Sequence, residues 1–361
     1  MEEHSDQAPA AASPPEDGPT AAFAEKTSHR FTFTGDAREY FRIWIVNLAL
    51  GIFTLGIYSA WAKVRTQRYF YSNTHVAGSP FEYLARPWPI LKGRLIAFAL
   101  LACYVVTLQI APLVAVGFMA AIGLATPWLI VRGLMFRARY SSWRGLTFRF
   151  EGGYGPAYRY FLLMYLLVPL TLGFIWPYIK SRQKAFVIEG HRYGGKRFVF
   201  SADASSFFEI YLKVGLCFVG LFMLLALVLV PLAGASRHGV QSFGAYVAPA
   251  VNYLAYFMAW TYLASRIGNL VYTHTTLDGH YFASSLRMRD LAWIYAGNTV
   301  AILASAGMLI PWAMVRLARY RADQLTLVAR NDLAGFAGGA SGEVGAAASE
   351  VDGFFDVDIG L

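Results

Sequence analysis

Apolar residues occur in two kinds of uncharged run, and these runs predict the helices of a membrane protein. The first kind comes in pairs, at 95–131 and at 214–236 with 239–265. A helix rises about 1.5 Å per residue and needs about 20 residues to cross a bilayer. Each pair is therefore long enough for two crossings, and Gly117 with Gly123 predicts the turn inside the first pair.

The second kind of run occurs singly, at 43–62, 160–179 and 291–315. Each single run contains Gly or Pro and has cations on both sides. If all three crossed the membrane, the cations between Lys180 and Arg197 would lie outside, against the positive-inside rule. We therefore favour re-entrant segments that turn back at their Gly or Pro residues, although their length also permits crossing.

A repeated motif follows these runs. An aromatic residue ends the run, an Arg follows four residues later, and in four copies a Gly stands three residues before a Phe. In the first three copies this Phe begins an alternating aromatic pair. This spacing predicts a helix through the Arg, a turn at the Gly and a short strand. The aromatic residues are Trp61, Trp128, Tyr178, Tyr262 and Trp312, and the arginines are Arg65, Arg132, Arg182, Arg266 and Arg316. The fifth copy lacks both the Gly and the second aromatic strand.

The motif copies belong to a larger repeating unit of aromatic strand, broken apolar segment, basic helix, second aromatic strand and paired spans. It predicts membrane repeats at 31–150 and 148–284 and a partial third repeat at 282–330. The tails at 1–30 and 331–361 have compositions typical of disorder. The fold class is mainly α: a polytopic transmembrane protein with internal repeats, re-entrant or broken helices and short cytoplasmic strands.

Composition supports the membrane class. The chain is 57% hydrophobic and 15% charged, whereas soluble domains are about a quarter charged. Its net charge of +9 comes from cations beside apolar runs, which favours cytoplasmic membrane flanks over nucleic-acid binding. Cys103 and Cys217 lie inside apolar runs, so we expect no disulfide and no metal site. The sequence has no nucleophile elbow, phosphate loop or zinc-protease motif, and we expect neither an enzyme nor a cofactor.

Two sets of polar side chains could carry function. Asn47 and Asn298 occupy matching positions in broken runs, and Asn252 and Gln109 lie in the predicted spans. These amides could line a pore or solute site, or they could simply form interhelical hydrogen bonds. The five repeated arginines could bind an anionic solute or lipid headgroups, or they could anchor the helices at the interface beside their aromatic neighbours.

Several stretches resemble the YjgN family of bacterial inner-membrane proteins, whose function is unknown. They are Phe31-x-Phe-x-Gly35, Thr54-Leu-Gly-Ile-Tyr-Ser-Ala-Trp-Ala-Lys63-Val-Arg65 and Gly78-Ser-Pro-Phe-Glu-Tyr83. The resemblance implies a multi-pass inner-membrane protein and brings no catalytic residue. We expect the motif copies and both termini to lie in the cytoplasm. We expect the function to be that of a transporter or channel for lipid or for a small solute, which could be an anion. The alternative is a structural or regulatory protein that organises lipids or partner proteins.

Overall fold

A single antiparallel sheet and the helices that connect its strands make up the fold. The computed structural model describes residues 27–235 and 239–330, and within these ranges the sheet has eleven strands. The strands are β1 (Thr27–Arg30), β2 (Thr32–Phe33), β3 (Thr74–Val76), β4 (Ser79–Tyr83), β5 (Ser141–Trp143), β6 (Leu146–Phe150), β7 (His191–Tyr193), β8 (Lys196–Phe200), β9 (Thr275–Leu277), β10 (His280–Ser284) and β11 (Leu325–Ala329). The helices are α1 (Ala37–Phe53), α2 (Ser59–Ser72), α3 (Pro87–Ile110), α4 (Pro112–Tyr140), α5 (Tyr154–Phe161), α6 (Leu167–Leu170), α7 (Trp176–Gly190), α8 (Ala204–Ala235), α9 (Gly239–Thr273), α10 (Met288–Ala304) and α11 (Ile310–Asp323), with a 3₁₀ turn at Leu163–Leu166.

The sheet closes on itself through the segment that contains β1 and β2. The strand order is β1-β11-β10-β9-β8-β7-β6-β5-β4-β3-β2, so its two ends are consecutive in the chain. Only Phe31 separates them, and the Phe31 N–H donates to the Leu325 carbonyl at 2.9 Å. One stretch of chain therefore pairs with β11 on one side and β3 on the other. The result is a nearly closed barrel, called the strand ring below, and closure protects the edges of the sheet.

Tight turns join the strands in pairs at one rim of the strand ring. Both central residues of the β3–β4 turn, Ala77 and Gly78, have positive φ, and so do the corresponding pairs in the other turns. Hairpin turns of this type need positive φ at both positions, which glycine adopts without steric cost. The corresponding pairs are Arg144-Gly145, Gly194-Gly195 and Asp278-Gly279. The predicted sequence of helix, glycine turn and aromatic strand is confirmed at these four places in the described chain.

The last strand of the described chain, β11, finds its second partner at the other end of that chain. It pairs with β10 on one side and with β1 on the other. β1 thus takes the place that a second strand of the fifth motif copy would have occupied. β1 also begins four residues before the boundary predicted for the N-terminal tail. The rest of both predicted tails, 1–26 and 331–361, lies outside the described residues.

Helical connections leave the opposite rim and return to the neighbouring strand. The structure describes five, called connections 1 to 5: 34–73, 84–140, 151–190, 201–274 except 236–238, and 285–324. A backbone hydrogen bond of 2.8–3.0 Å closes the base of each. The donors and acceptors are Thr34 to Asn73, Leu84 to Tyr140, Glu151 to Gly190, Ser201 to His274, and Ser285 to Gln324. Because the strands alternate in direction, all five connections project from the same rim.

The three single runs form the short connections 1, 3 and 5, and each reverses direction at a glycine. Gly56, Gly173 and Gly307 have φ of 89°, 86° and 91°. Each glycine N–H donates to a carbonyl five residues earlier, at 2.7–2.9 Å, which is the Schellman pattern of a helix end. The predicted breaks at these glycines are confirmed. Gly51, the other glycine of the first single run, lies inside α1.

The paired runs form the long connections 2 and 4. The first pair turns at Ala111 and Pro112, so the predicted turn near Gly117 and Gly123 is wrong. Both glycines lie inside α4 with open space around them, whereas Pro112 supplies the fixed φ of a first helical residue. Three described helices are long and apolar enough to cross a membrane: Pro87–Ile110, Pro112–Tyr140 and Ala204–Val228.

Aromatic and aliphatic side chains fill the inside of the strand ring. Residues from strands all around the ring belong to one buried cluster, so they meet at its centre. The Phe three residues after each turn glycine lies opposite an apolar residue of the next strand. These cross-strand pairs are Phe81 with Trp143, Phe148 with Tyr193, Phe198 with Leu277 and Phe282 with Leu327. Ring stacking continues between neighbouring strand pairs, with 6.3 Å between the ring centroids of Phe31 and Phe81.

Candidate functional site

The structure brings the predicted amides and arginines together at two places. In connection 1, Arg65 Nη1 donates to Asn47 Oδ1 at 3.4 Å and to the Tyr58 hydroxyl at 3.0 Å. In connection 5, Arg316 Nη1 donates to Asn298 Oδ1 at 3.3 Å. Both asparagines are only 7% exposed. The two predicted sets, pore-lining amides and anion-binding arginines, therefore form one kind of site that occurs twice.

The turn glycine explains this pairing. Asn47 and Arg65 are each nine residues from Gly56, and Asn298 and Arg316 are each nine residues from Gly307. Two positions at equal distances from the bend of a helical hairpin lie side by side on its two arms. The equal spacing of Asn and Arg from the turn glycine can be read from the sequence, but only when the glycine at the bend is known. Connection 3 has Met164 and Arg182 at the equivalent distances from Gly173, so it lacks the amide.

The two pairs differ in how the amide nitrogen is satisfied. Asn298 Nδ2 donates to the Ala313 carbonyl at 3.2 Å. Asn47 Nδ2 is buried and has no hydrogen-bonding partner. A buried donor left unpaired costs about 1–3 kcal/mol, so native proteins seldom retain one without a reason. Connection 1 therefore offers a free amide N–H beside a guanidinium, and connection 5 does not.

Connections 1 and 5 are direct neighbours because the strand ring closes between them. α1 packs against α11, and the buried Tyr40 hydroxyl lies 3.6 Å from Met314 Sδ. Near the ring, Arg319 Nη2 donates to the Gly35 carbonyl at 3.0 Å. A Cβ at Gly297 would lie 3.0 Å from Arg316 Nη1, so glycine permits the close approach of this arginine to its own hairpin. The first and last helical connections, each of which carries one Asn–Arg pair, thus pack against each other.

Most of the repeated arginines also stack on the repeated aromatic residues. The guanidinium carbon lies 5.1–5.6 Å from the ring centroid in four of the five predicted pairs. These are Arg132 over Trp128, Arg182 over Tyr178, Arg266 over Tyr262 and Arg316 over Trp312. Arg65 bonds to Tyr58, and its predicted aromatic neighbour Trp61 stacks on Tyr58 and contacts Trp88. This geometry fits the anchoring interpretation, since a cation beside an aromatic face is stabilised by about 0.5–1 kcal/mol at exposed sites.

The other two predicted amides lie elsewhere. Gln109 is exposed on α3. Asn252 lies on α9 in a largely apolar cavity of about 540 Å³ between α8 and α9, together with Phe222 and Pro249. Both belong to the long connections 2 and 4. The structure therefore does not bring Gln109 or Asn252 to the Asn–Arg pairs.

Connection 3 contains a buried amide that sequence reasoning missed. Gln183 Nε2 donates to the Tyr160 carbonyl at 3.0 Å and to the Tyr165 hydroxyl at 3.2 Å. Lys180 Nζ donates to Gln183 Oε1 at 3.3 Å. The available signal was its helical face, because Ile179 and Phe186 lie four residues before and three after it, and both are buried.

The electrostatics of the strand ring are set by burial. Burial raises the pKa of Tyr193 to about 12, so its hydroxyl stays protonated and donates to the Trp143 carbonyl at 2.9 Å. Burial lowers the pKa of His191, whose Nδ1 lies 2.6 Å from the Val187 carbonyl. Among the described residues, no group of three His, Cys, Asp or Glu could hold a metal ion. Cys103 and Cys217 are free and exposed on α3 and α8.

Comparison with known proteins finds one family of bacterial proteins and several relatives that are named as inner-membrane proteins. Residues 28–354 match the family described as "Bacterial protein of unknown function (DUF898)". The chain is 31% identical to "Inner membrane protein YjgN" of Salmonella typhimurium over 152 residues, which is 40% of this chain and 37% of the relative. It is 32% identical to the protein of the same name in Escherichia coli K12 over 125 residues, 34% of this chain and 31% of the relative. The alignments thus cover about a third of each relative. No solved structure matches the chain.

Proposed function

This chain belongs to the DUF898 family of bacterial proteins of unknown function, and we propose that it is a multi-pass inner-membrane transporter or channel for a small anionic solute. The proposal combines the membrane character of the helices, the names of the relatives and the Asn–Arg pairs. The supporting arguments concern its position in the membrane, its repeated architecture and its site.

The position in the membrane follows from which residues face outward. The turn residues Leu55 and Leu172 are 94% and 87% exposed, as expected of side chains that lipid covers. Helices α8 and α9 have 32 and 35 residues, or about 50 Å each, so connection 4 can cross a hydrocarbon core of about 30 Å and return. The 17 residues of α1 reach about 25 Å, so connection 1 enters without crossing. In this arrangement the strand ring lies in the cytoplasm, where the positive-inside rule puts the cations at the helix ends.

The repeated architecture supports a site at the junction of connections 1 and 5. We infer that each unit of the chain is a helical connection with its strand pair, and that β11 and the N-terminal strands together complete the fifth unit. Membrane proteins built from internal repeats often bind their substrates where repeats meet. The first and last connections meet at Tyr40 and Met314, and each of them carries one Asn–Arg pair.

The observation that carries the proposal is the unpaired amide of Asn47. Its Nδ2 is buried without a partner, while its Oδ1 accepts from Arg65. A guanidinium, an amide N–H and the Tyr58 hydroxyl together provide the donors that an anion needs in a low-dielectric environment. Small rearrangements of the exposed Arg65 side chain would open this site to the solute. We propose no catalytic step, and the proposed partners are membrane lipids and the solute, not nucleic acid.

Flux into proteoliposomes tests the proposal. The full chain is reconstituted, and uptake of radiolabelled chloride and inorganic phosphate is compared among the wild type, Asn47→Leu and Asn298→Leu. We expect flux above protein-free vesicles for at least one anion, with roughly a tenfold loss in Asn47→Leu, because the amide donor is gone. Asn252→Leu is the matched control and should keep the wild-type rate. Absence of flux in the wild type, or unchanged flux in both the Asn47 and Asn298 variants, would reject the proposal.

A second candidate is a structural membrane protein that organises lipids or partner proteins without transport. The packed aromatic interior of the strand ring favours it, because this packing leaves the cytoplasmic end closed. The stacking of arginines on interfacial aromatic residues also suits a purely anchoring role. The flux experiment separates the two candidates, since a structural protein would pass no anion yet remain folded in the vesicles.

A further inference from the structure

The outer face of the strand ring carries three arginines in direct cross-strand register. Arg149 of β6 lies opposite Arg192 of β7, and Arg192 lies opposite Arg197 of β8. Successive side chains of a strand point to opposite faces, and Phe148 and Phe150 belong to buried clusters, so Arg149 points outward. We call these three residues the arginine row.

The arginine row is an unfavourable arrangement for a sheet on its own. Directly opposed residues have Cβ atoms about 4.5–5.5 Å apart, and like charges at that distance destabilise the pairing. Nothing in the local pattern requires cations here, since Thr or Val would suit an exposed strand position equally well. A row of this kind is explained more simply by a ligand that compensates the charge.

One carboxylate compensates only part of the charge of the row. Glu151 Oε2 lies 2.5 Å from Arg192 Nε. This contact is an ion pair, so it neutralises one of the three guanidinium charges of the row. The neighbouring cation Lys196 is already paired, with its Nζ 3.3 Å from Asp278 Oδ1. Arg149 and Arg197 are exposed and form no ion pair with another described residue, so two of the three charges have no carboxylate beside them.

We propose that the arginine row binds a phosphate group. Guanidinium groups present planar forks that bind phosphate oxygens in a bidentate manner, and adjacent forks can share one phosphate. The phosphate can come from an anionic lipid headgroup or from a soluble phosphorylated molecule.

Arg149 lies two residues before Glu151, whose N–H closes the base of connection 3 at 2.8 Å. Arg149 and Arg192 therefore lie close to the rim from which the helices project, where the row would meet headgroups. This site is separate from the Asn–Arg pairs and does not rest on transport.

Phosphate-binding measurements on the detergent-purified full chain test the proposal in two arms. In the first arm, native mass spectrometry measures retained phosphatidylglycerol against phosphatidylcholine. In the second arm, calorimetry measures binding of inorganic phosphate and pyrophosphate. The variants are the doubles Arg149→Gln/Arg197→Gln and Arg149→Lys/Arg197→Lys. Lys196→Gln is the matched control, because it removes one cation from the same strand without touching the row.

We expect the wild type to bind in at least one arm, with a loss of roughly tenfold or more in the Gln double variant. The Lys variant keeps the charge but loses the fork, and it should bind with intermediate affinity, while Lys196→Gln should bind like the wild type. Binding in the lipid arm assigns the headgroup, and binding in the calorimetric arm assigns a soluble phosphate. Absence of binding in both arms, or an equal loss in Lys196→Gln, would overturn the proposal.

Thermal unfolding without added phosphate gives a second readout. Because the Gln double variant relieves like-charge repulsion, it should melt at the same temperature as the wild type or higher. A clear decrease would show that the arginines stabilise the sheet by themselves, which would also overturn the proposal. Neither readout depends on anion flux, so the arginine row can fail while the transport proposal stands, and the reverse.

Discussion

The strand ring and the helical connections place their apolar residues in opposite directions. In the ring, Trp143 and Tyr193 point inward and are almost fully buried, while the arginine row points outward. In the connections, Leu55 and Leu172 point outward at the turns, and the polar Asn47 and Asn298 are buried between helices. The ring is thus built like a soluble domain, whereas the connections are built for an apolar surrounding.

This difference indicates that different interactions stabilise the ring and the connections. Burial of aromatic surface away from water drives the ring to fold, at about 25 cal/mol per Å². Between helices in lipid this driving force is largely absent, and close packing and hydrogen bonds take its place. Substitutions of similar size should therefore have unequal effects in the two regions.

The largest expected effect is on the ring core. Trp143→Ala removes a side chain that stacks on Phe81 and packs at a tilt against Tyr193. We expect a loss of about 3–5 kcal/mol in the free energy of unfolding, because the cavity cannot collapse within a closed sheet. Leu172→Ala, at an exposed turn, should change it by less than about 0.5 kcal/mol. Thermal and denaturant unfolding in detergent measure both, and equal losses would contradict the contrast drawn between the regions.

A smaller effect is expected at the helix reversals. Gly307→Ala forces a Cβ onto a residue with φ of 91°, which should cost about 1–2 kcal/mol. Gly51→Ala lies inside α1 with open space around it, and should stabilise by about 0.5–1 kcal/mol. Unfolding experiments on the two variants sharpen the comparison within the connections. A stability loss at Gly51 as large as that at Gly307 would be inconsistent with a turn fixed by glycine.

The smallest expected effect is a dependence of stability on pH in the ring. Burial lowers the pKa of His191 below its ordinary value near 6.5, so the unfolded chain binds a proton more readily than the folded protein. Stability should be constant with respect to this group above pH 6.5 and should decrease as the pH falls below it. His191→Gln should show a shallower decrease, measured by melting temperature from pH 8 to pH 5. The same slope in both proteins would remove His191 from the explanation.

Local chemistry explains why part of this fold could be predicted from the sequence. Gly56, Gly173 and Gly307 could be named as helix breaks, and Gly78 or Gly145 as turns, because positive φ is a local demand that glycine meets. The alternating aromatic residues likewise identified the strands. The turn predicted near Gly117 and Gly123 was wrong because a glycine inside an apolar helix need not break it.

Long-range pairing explains what the sequence did not reveal. Closure of the ring depends on β1 meeting β11, at opposite ends of the described chain, and no local pattern specifies that partner. Asn47 and Arg65 were each identified as candidates, but their contact depends on the exact bend at Gly56. Gln183 was missed because it is surrounded in sequence by cations, although its helical face is apolar.

The central claim is that all strand pairs of the ring lie on the cytoplasmic side. Single cysteines at the exposed positions Glu82, Lys196, Ala283 and Asp323 test it, in a background with Cys103→Ser and Cys217→Ser. A membrane-impermeant thiol reagent should label none of the four in intact cells and all four after permeabilisation. Leu113→Cys, at the turn of connection 2, should be labelled in intact cells. Labelling of the Lys196 position from outside would contradict the common cytoplasmic location, and with it the re-entrant path of the short connections.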